Sequence, residues 1–108
     1  MDIRQDGNFT IVSPTGKLDT ISSPEFSREL SDALDKKPYG CIVDLSMVSF
    51  LSSSGLQALL AGAKRSRKDG TRYGVCGMSE MVNDVFTLSG FDRFIDTFDD
   101  VEGATESL

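Results

Sequence analysis

Three consecutive serines, Ser52, Ser53 and Ser54, are the side chains best placed to do chemistry, because Gly55 and Leu56 follow them at what reads as a helix start. The first turn of a helix leaves four backbone N–H groups without partners inside the helix. A serine hydroxyl can cap one of these groups, and the same groups and the helix dipole attract a phosphate. A serine at a turn can also be a nucleophile when a base stands beside it. The cluster therefore has three interpretations: a helix cap, a phosphate-binding loop or a nucleophile.

The sequence around the serines disfavours the second and third interpretations. A Walker-type phosphate loop needs several glycines and a Lys-Ser/Thr pair, whereas Gly55 stands alone and Leu56 follows it. The Gly-x-Ser-x-Gly pattern of a nucleophile elbow is absent. Capping is the simplest local interpretation, but it needs only one serine. A further use of the extra hydroxyls therefore stays open.

Histidine is absent from the chain, which excludes Ser-His-Asp and Cys-His catalysis and histidine-ligated zinc. The two cysteines, Cys41 and Cys76, stand apart in apolar runs and are predicted to be buried, reduced side chains. We therefore predict a binding protein rather than an enzyme, with no metal and no cofactor. A small enzyme using Asp19 and Asp44 is the least favoured alternative, since Asp44 is better explained as a hydrogen-bonding residue at a strand end.

Size and charge limit the partners. A chain of 108 residues is expected to form one domain over residues 1–108. The net charge of −6 argues against binding nucleic acid or an anionic membrane surface, which both require basic residues. No apolar run is long enough to span a bilayer, and the N-terminus lacks the apolar core of a signal peptide. The expected location is the cytoplasm.

The elements that must position the serines can be predicted from the apolar pattern. Ser46–Leu51 reads as a connecting segment between a strand and the serine-rich helix, and an Asp6-Gly7-Asn8 turn joins the first two strands as a hairpin. Short apolar or β-branched runs predict five strands: Ile3–Gln5, Phe9–Ser13, Cys41–Leu45, Arg72–Cys76 and Ile95–Phe98.

Serines also mark the predicted helix starts. The first helix begins at Ser22 or Ser23, where Ser22 and Glu25 have the spacing of a capping box. The second begins within the serine cluster and ends at Gly70, and the third is capped by Ser79. The acidic segment 99–108 is expected to add a short terminal helix. Four basic residues lie near the end of the second helix: Lys64, Arg65, Arg67 and Lys68. They are interpreted as a solvated helix end or, alternatively, as a patch that contacts a partner.

The predicted order is β-β-α-β-α-β-α-β with a terminal helix. Alternation of strand and helix implies parallel strands joined by right-handed crossovers, and the opening hairpin adds an antiparallel strand. The fold class is therefore α/β with a mixed sheet.

Three stretches of the sequence resemble the STAS domain, specifically the bacterial anti-sigma-factor antagonists. Asp44-Leu45-Ser46, Val48-Ser49-Phe50 and the serine cluster with Gly55-Leu56 resemble the family's strand, Val-x-Phe and helix-start pattern. Gly16-Lys17-Leu18-Asp19 resembles its Gly-x-Leu-Asp, and Leu88-Ser89-Gly90-Phe91 its Ser-Gly-Leu. Element order and length match along essentially the whole chain, so residues 1–108 are expected to form a single STAS-type domain.

The resemblance implies partner switching in the regulation of transcription during stress. Members bind an anti-sigma factor that is a serine kinase with a histidine-kinase-like ATPase fold, which frees the sigma factor. The kinase phosphorylates a serine at the start of the second helix and the complex separates. A PP2C-type phosphatase reverses the modification. The free protein is expected to be a monomer.

The resemblance places the phosphorylated serine at Ser53, with Ser54 and Ser52 as alternatives, and partner contacts at Asp19 and along Ser52–Leu56 (Ser52, Ser53, Ser54, Gly55 and Leu56). Many members carry aspartate where this chain has Ser52, so the identity of the modified serine stays open. The alternative function is that of a non-phosphorylated STAS subunit in a regulatory or transport assembly.

Overall fold

The computed structural model describes residues 1–108 as seven strands, four α-helices and one 3-10 turn. The strands are β1 (Asp2–Asp6), β2 (Phe9–Ser13), β3 (Gly16–Leu18), β4 (Gly40–Asp44), β5 (Val48–Leu51), β6 (Arg72–Cys76) and β7 (Asp96–Phe98). The helices are α1 (Ser23–Asp35), α2 (Ser53–Asp69), α3 (Glu80–Leu88) and α4 (Val101–Ser107), with the 3-10 turn at Phe91–Arg93.

Five strands form one mixed sheet in the order β1-β2-β4-β6-β7. The β1–β2 hairpin is antiparallel, and the β2–β4, β4–β6 and β6–β7 pairs are parallel. The predicted α/β class with a mixed sheet and an opening hairpin is thus confirmed. Parallel neighbours require crossovers, and α1, α2 and α3 provide them.

The central strands are buried on both faces, which explains their nearly continuous apolar sequences. Val43 and Cys41 of β4 point into the larger core beneath α1, α2 and α3, while Ile42 points to the opposite face. There, Ala104 of α4 covers a smaller cluster. Both cysteines are fully buried and unpaired, as predicted.

Two short strands were not predicted, and they matter because they lead to the serine cluster. β3 and β5 form a separate parallel pair in which Leu18 lies opposite Leu51. By their sequence, residues 46–51 predict a connecting segment in which Met47, Val48, Phe50 and Leu51 stand among serines. Its strand character depends on the pairing with residues 16–18, about 30 positions earlier in the chain, and short-range patterns do not carry that information.

Most predicted helix ends are confirmed. Ser52 and Ser79 cap α2 and α3 through their side chains, and Gly70 ends α2 in the left-handed conformation with φ of 74°. The predicted capping box between Ser22 and Glu25 is wrong. Ser22 makes no side-chain cap, because its hydroxyl donates instead to the Lys17 carbonyl oxygen and accepts the Asp19 N–H.

The basic end of α2 is partly neutralised within the protein. Arg65 forms ion pairs with Asp35 at 2.6 Å and Asp69 at 3.0 Å, whereas Lys64, Arg67 and Lys68 are exposed. None of the helices combines the length and hydrophobicity needed to cross a bilayer.

Candidate functional site

Ser52 joins the start of α2 to the end of β3. Its hydroxyl accepts the Gly55 N–H at 3.3 Å and donates to the Leu18 carbonyl oxygen at 2.8 Å. The Ser52 backbone N–H donates to the same carbonyl at 2.9 Å. The hydroxyl has only one hydrogen to donate, and that hydrogen is engaged. Ser52 is therefore a half-buried structural cap.

Ser53 is the exposed member of the cluster. It is the first residue of α2, and its hydroxyl makes no hydrogen bond within the protein. Ser54 is half-buried and lines an open groove of about 510 Å³ between α1 and α2, with Thr20, Ser23 and Gln57 among its neighbours. The three serines thus differ in accessibility, and Ser53 has the hydroxyl most open to a second protein.

Gly55 and Leu56 support this turn from below. Leu56 is only 6% exposed and belongs to the larger core. A Cβ at Gly55 would lie 2.8 Å from the Leu51 side chain and 2.9 Å from the Leu18 carbonyl oxygen, too close for either atom. Glycine is therefore needed for α2 to start against β3 and β5, and these two residues shape the serine surface without presenting side chains on it.

Asp19 organises the turn that follows β3. Its carboxylate accepts the backbone N–H groups of Ile21 and Ser22, each at 3.0 Å. The hydrogen bond from the Ser22 N–H is the main cause that lowers the pKa of Asp19, against the opposing effect of desolvation. Because Asp19 follows Leu18 and Ser53 follows Ser52, the Leu18–Ser52 hydrogen bonds bring the two predicted site residues together.

Ile21 is a surface feature that the sequence analysis did not identify. Its side chain is 89% exposed in the turn that Asp19 organises. A signal was present in the sequence, since Ile21 lies five residues before Phe26 and so falls outside the apolar spacing of α1. Met47, which precedes β5, and Phe50, which lies within it, are also exposed, at 66% and 44%.

The site places an exposed serine hydroxyl close to an ordered turn that carries a carboxylate. No three acidic or cysteine side chains are grouped closely enough to hold a metal ion. The Ser53 hydroxyl has no basic partner of its own among the side-chain hydrogen bonds of the site.

The model of the STAS domain matches residues 1–104 of the chain. This protein belongs to the STAS domain family. The predicted family is thus confirmed.

Two relatives carry names of anti-sigma factor antagonists. BtrV of Bordetella bronchiseptica is 29% identical over 76 residues, which cover 70% of this chain and 66% of BtrV, slightly under two thirds of that relative. The anti-sigma-F factor antagonist RsfB of Mycobacterium tuberculosis is 24% identical over 102 residues, which cover 94% of this chain and 83% of RsfB.

Solved structures show how widely the fold is used. An anti-sigma factor antagonist from Mycobacterium paratuberculosis superposes with a TM-score of 0.91 at 24% identity, covering 97% of this chain and 89% of that one. The murine anion transporter Slc26a9 matches with a TM-score of 0.79 at 18% identity, covering 96% of this chain but 18% of the transporter. These likenesses establish the fold, and the fold alone does not separate a regulator from a transporter subunit.

Proposed function

We propose that this STAS protein is an anti-sigma factor antagonist that works by partner switching in the cytoplasm, with residues 1–108 acting as a single domain. Unphosphorylated, it binds an anti-sigma factor that is a serine kinase with a histidine-kinase-like ATPase fold. Phosphorylation of Ser53 releases it, and a PP2C-type phosphatase restores the binding form. The names of the relatives BtrV and RsfB support the general role.

One observation carries the choice of Ser53. Of the three serines, Ser52 has its hydrogen engaged by Leu18 and Ser54 is half-buried beside α1, whereas Ser53 is exposed with an unbonded hydroxyl. A kinase can approach Ser53 without opening any hydrogen bond of the protein. The site also stands at the N-terminus of a 17-residue helix, so the added charge is compatible with the fold.

Phosphorylation transfers one phosphoryl group. The Ser53 Oγ attacks the γ-phosphorus of ATP, the bond from that phosphorus to the bridging oxygen breaks, and ADP leaves. The hydroxyl proton passes to a base on the kinase. The phosphatase then uses water to return the serine and release inorganic phosphate.

Release follows from local electrostatics. A phosphoserine adds about −1.5 to −2 charges at neutral pH. On the free protein this charge faces water and the helix N-terminus, but in a complex it must be desolvated at the interface. A penalty of about 4 kcal/mol weakens an affinity about a thousandfold. Dissociation therefore needs no refolding.

The test combines intact-mass analysis and binding measurements with the cognate anti-sigma serine kinase and ATP. We expect one phosphate on the native protein and none on Ser53→Ala or Ser53→Asp. Ser53→Ala should bind the kinase whether or not ATP is present, and Ser53→Asp should lose most of its affinity. Ser54→Ala is the matched control and should be phosphorylated as the native protein is. Native phosphorylation of Ser53→Ala would contradict the site assignment.

A second candidate function follows from the fold shared with Slc26a9, namely a non-phosphorylated STAS subunit of a regulatory or transport assembly. The same experiment separates the two. The second candidate predicts an unchanged mass after incubation with kinase and ATP, and a stable complex with a partner that survives both the addition of ATP and the Ser53→Asp substitution.

A further inference from the structure

The partner contacts that the family resemblance implies fall on two separate segments. One is the turn Asp19–Ser22 with the exposed Ile21, and the other is the start of α2 with Ser53. The segments are more than 30 residues apart in the sequence. A partner that contacts both needs them held in a fixed relation, and the residues that set this relation determine how much order must be gained on binding.

We propose that Ser52 is a positioning residue that holds the Asp19–Ser22 turn in place relative to Ser53, beyond its role as a helix cap. Two hydrogen bonds from Ser52, one from its backbone N–H at 2.9 Å and one from its hydroxyl at 2.8 Å, converge on the carbonyl oxygen of Leu18. Leu18 immediately precedes Asp19. The partner-facing turn is thus anchored to the helix that carries Ser53.

The hydroxyl supplies one of the two hydrogen bonds of this anchor, and it does so as a donor, which capping alone does not require. A cap needs only an acceptor for the Gly55 N–H, which Ser52 provides at 3.3 Å. The link to Leu18 needs a donor, and a carboxylate at this position has none. A carboxylate would cap α2 well and favour its dipole, yet it would place an oxygen against the Leu18 carbonyl oxygen.

Gly55 allows the start of α2 to lie close to the same Leu18 carbonyl oxygen. The space where its Cβ would lie is occupied by the Leu18 carbonyl oxygen at 2.9 Å and the Leu51 side chain at 2.8 Å. The first turn of α2 therefore packs directly against the carbonyl that Ser52 binds. The Ser52 hydrogen bond and this close packing together limit the movement of the Asp19–Ser22 turn relative to the start of α2.

Three substitutions separate positioning from capping. Ser52→Thr keeps the donor and the acceptor, Ser52→Asp keeps only the acceptor, and Ser52→Ala keeps neither. The first readout is the rate of amide exchange with water at Ile21 and Ser22, measured by NMR on the free protein, since both N–H groups donate to Asp19 in the turn. The second readout is the midpoint of unfolding.

We expect Ser52→Thr to stay within about twofold of the native exchange rates and Ser52→Ala and Ser52→Asp to exceed them about fivefold to tenfold, the size that one hydrogen bond supports. Ser52→Asp should lower the unfolding midpoint less than Ser52→Ala does, because it loses the hydrogen bond to Leu18 but keeps the helix cap. Ser79→Asp is the matched control: Ser79 caps α3 by accepting the Val82 N–H, and its hydroxyl donates to no other element. It should leave exchange at Ile21 and Ser22 unchanged.

Native exchange rates at Ile21 and Ser22 in Ser52→Asp would overturn the proposal and leave Ser52 as a cap only. The relevance to binding rests on the proposed function, and it is tested by kinase affinity: Ser52→Ala should bind about fivefold more weakly and Ser52→Thr as the native protein does. Native affinity of Ser52→Ala would overturn the positioning role. Failure of the proposed function itself shows separately, as absence of phosphate on Ser53, and does not alter the exchange rates of the free protein.

Discussion

At the residue scale, the Asp19 carboxylate organises the turn before α1, where the sequence predicted a capping box between Ser22 and Glu25. Its acceptance of the Ser22 and Ile21 N–H groups replaces the predicted Ser22–Glu25 capping box. Several side-chain acceptors can bind the same backbone N–H groups. Which acceptor does so depends on the path by which the chain enters the helix. That path is set here by β3, which the local pattern did not reveal.

The lowered pKa of Asp19 makes a prediction about pH. Since the hydrogen bonds from Ser22 and Ile21 favour the charged form, the turn is stabilised at pH values above the unfolded-state pKa of about 3.9 and loses this support as the pH falls through the lower, folded value. We expect the carboxyl ¹³C signal of Asp19 to titrate with a midpoint below 3.8.

The variant Asp19→Asn provides the control for this titration, because its side chain keeps an acceptor but does not ionise in this range. Protection of the Ile21 and Ser22 amides, taken as the intrinsic exchange rate divided by the observed rate at the same pH, should fall on acidification in the native protein and stay constant in the variant. A carboxyl midpoint at the ordinary value of 3.8 would refute the link between the turn and the carboxylate charge.

At the element scale, the start of α2 depends on close contact with the β3–β5 pair. The sequence indicated a helix start within residues 52–54 and an end at Gly70, and both are confirmed. The contact that makes Gly55 necessary could not be predicted from the sequence, because a glycine after a serine cap also fits an ordinary helix start. Only the approach of Leu18 and Leu51 gives this position its steric limit.

We therefore expect Gly55→Ala to destabilise the protein although alanine favours helices. The new methyl group would meet the Leu18 carbonyl oxygen at 2.9 Å, and a backbone atom cannot rotate away. Overpacking of this kind costs about 1–3 kcal/mol, partly offset by the better helix propensity of alanine. The measurement is the free energy of unfolding in urea.

Gln57→Ala, at an exposed position of the same helix, is the control and should change the free energy of unfolding little. Exchange at the Ile21 amide should also rise in Gly55→Ala, since the displaced helix start carries Ser52 with it. Equal or greater stability of Gly55→Ala would show that α2 can move away from β3 and would contradict the close packing of Gly55 against Leu18 and Leu51.

At the scale of the whole molecule, the sheet separates two apolar clusters, and each contains one cysteine. Cys41 lies in the larger core beneath α1 and α2, and Cys76 lies in the smaller cluster beneath α4. Desolvation by burial is the main cause that raises the pKa of each thiol to about 12. Thiolate is the reactive form, so both cysteines should be inert in the folded protein.

We predict that neither thiol reacts with a disulfide reagent at about pH 8 in the native state, where an ordinary cysteine is partly ionised. Both should react once the protein unfolds in urea. If the two faces of the sheet open together, Cys41 and Cys76 should be modified at the same rate, measured by mass spectrometry of the peptides. The variants Cys41→Ala and Cys76→Ala each keep one thiol, so the labelling rate of the other cysteine can be measured alone. Rapid labelling of Cys76 alone would show that α4 opens independently of the larger core.

The raised thiol pKa values also set the direction of alkaline sensitivity. The unfolded chain loses its thiol protons at lower pH than the folded chain, so the free energy of unfolding should fall as the pH rises above about 8.5.

The sequence by itself determined the strands of the main sheet and the helices, and it directed attention to the serine segment. Apolar spacing gave the strands of the main sheet and the buried faces of the helices, because these patterns act over a few residues. Ser52, Ser79 and Gly70 marked helix ends through interactions within a single turn. The absence of histidine limited the chemistry, and the serine segment indicated the family before any contact was visible.

Only the tertiary structure decided how the three serines differ. Their local sequence is uniform, so no short-range rule separates them. The parallel pairing of β3 with β5 brings Leu18 beside Ser52, and α1 brings its first turn beside Ser54. Ser53 keeps a free hydroxyl because neither neighbour reaches it. The accessibility of each serine is thus set by segments 30 residues away, through contacts that exist only once the chain has folded.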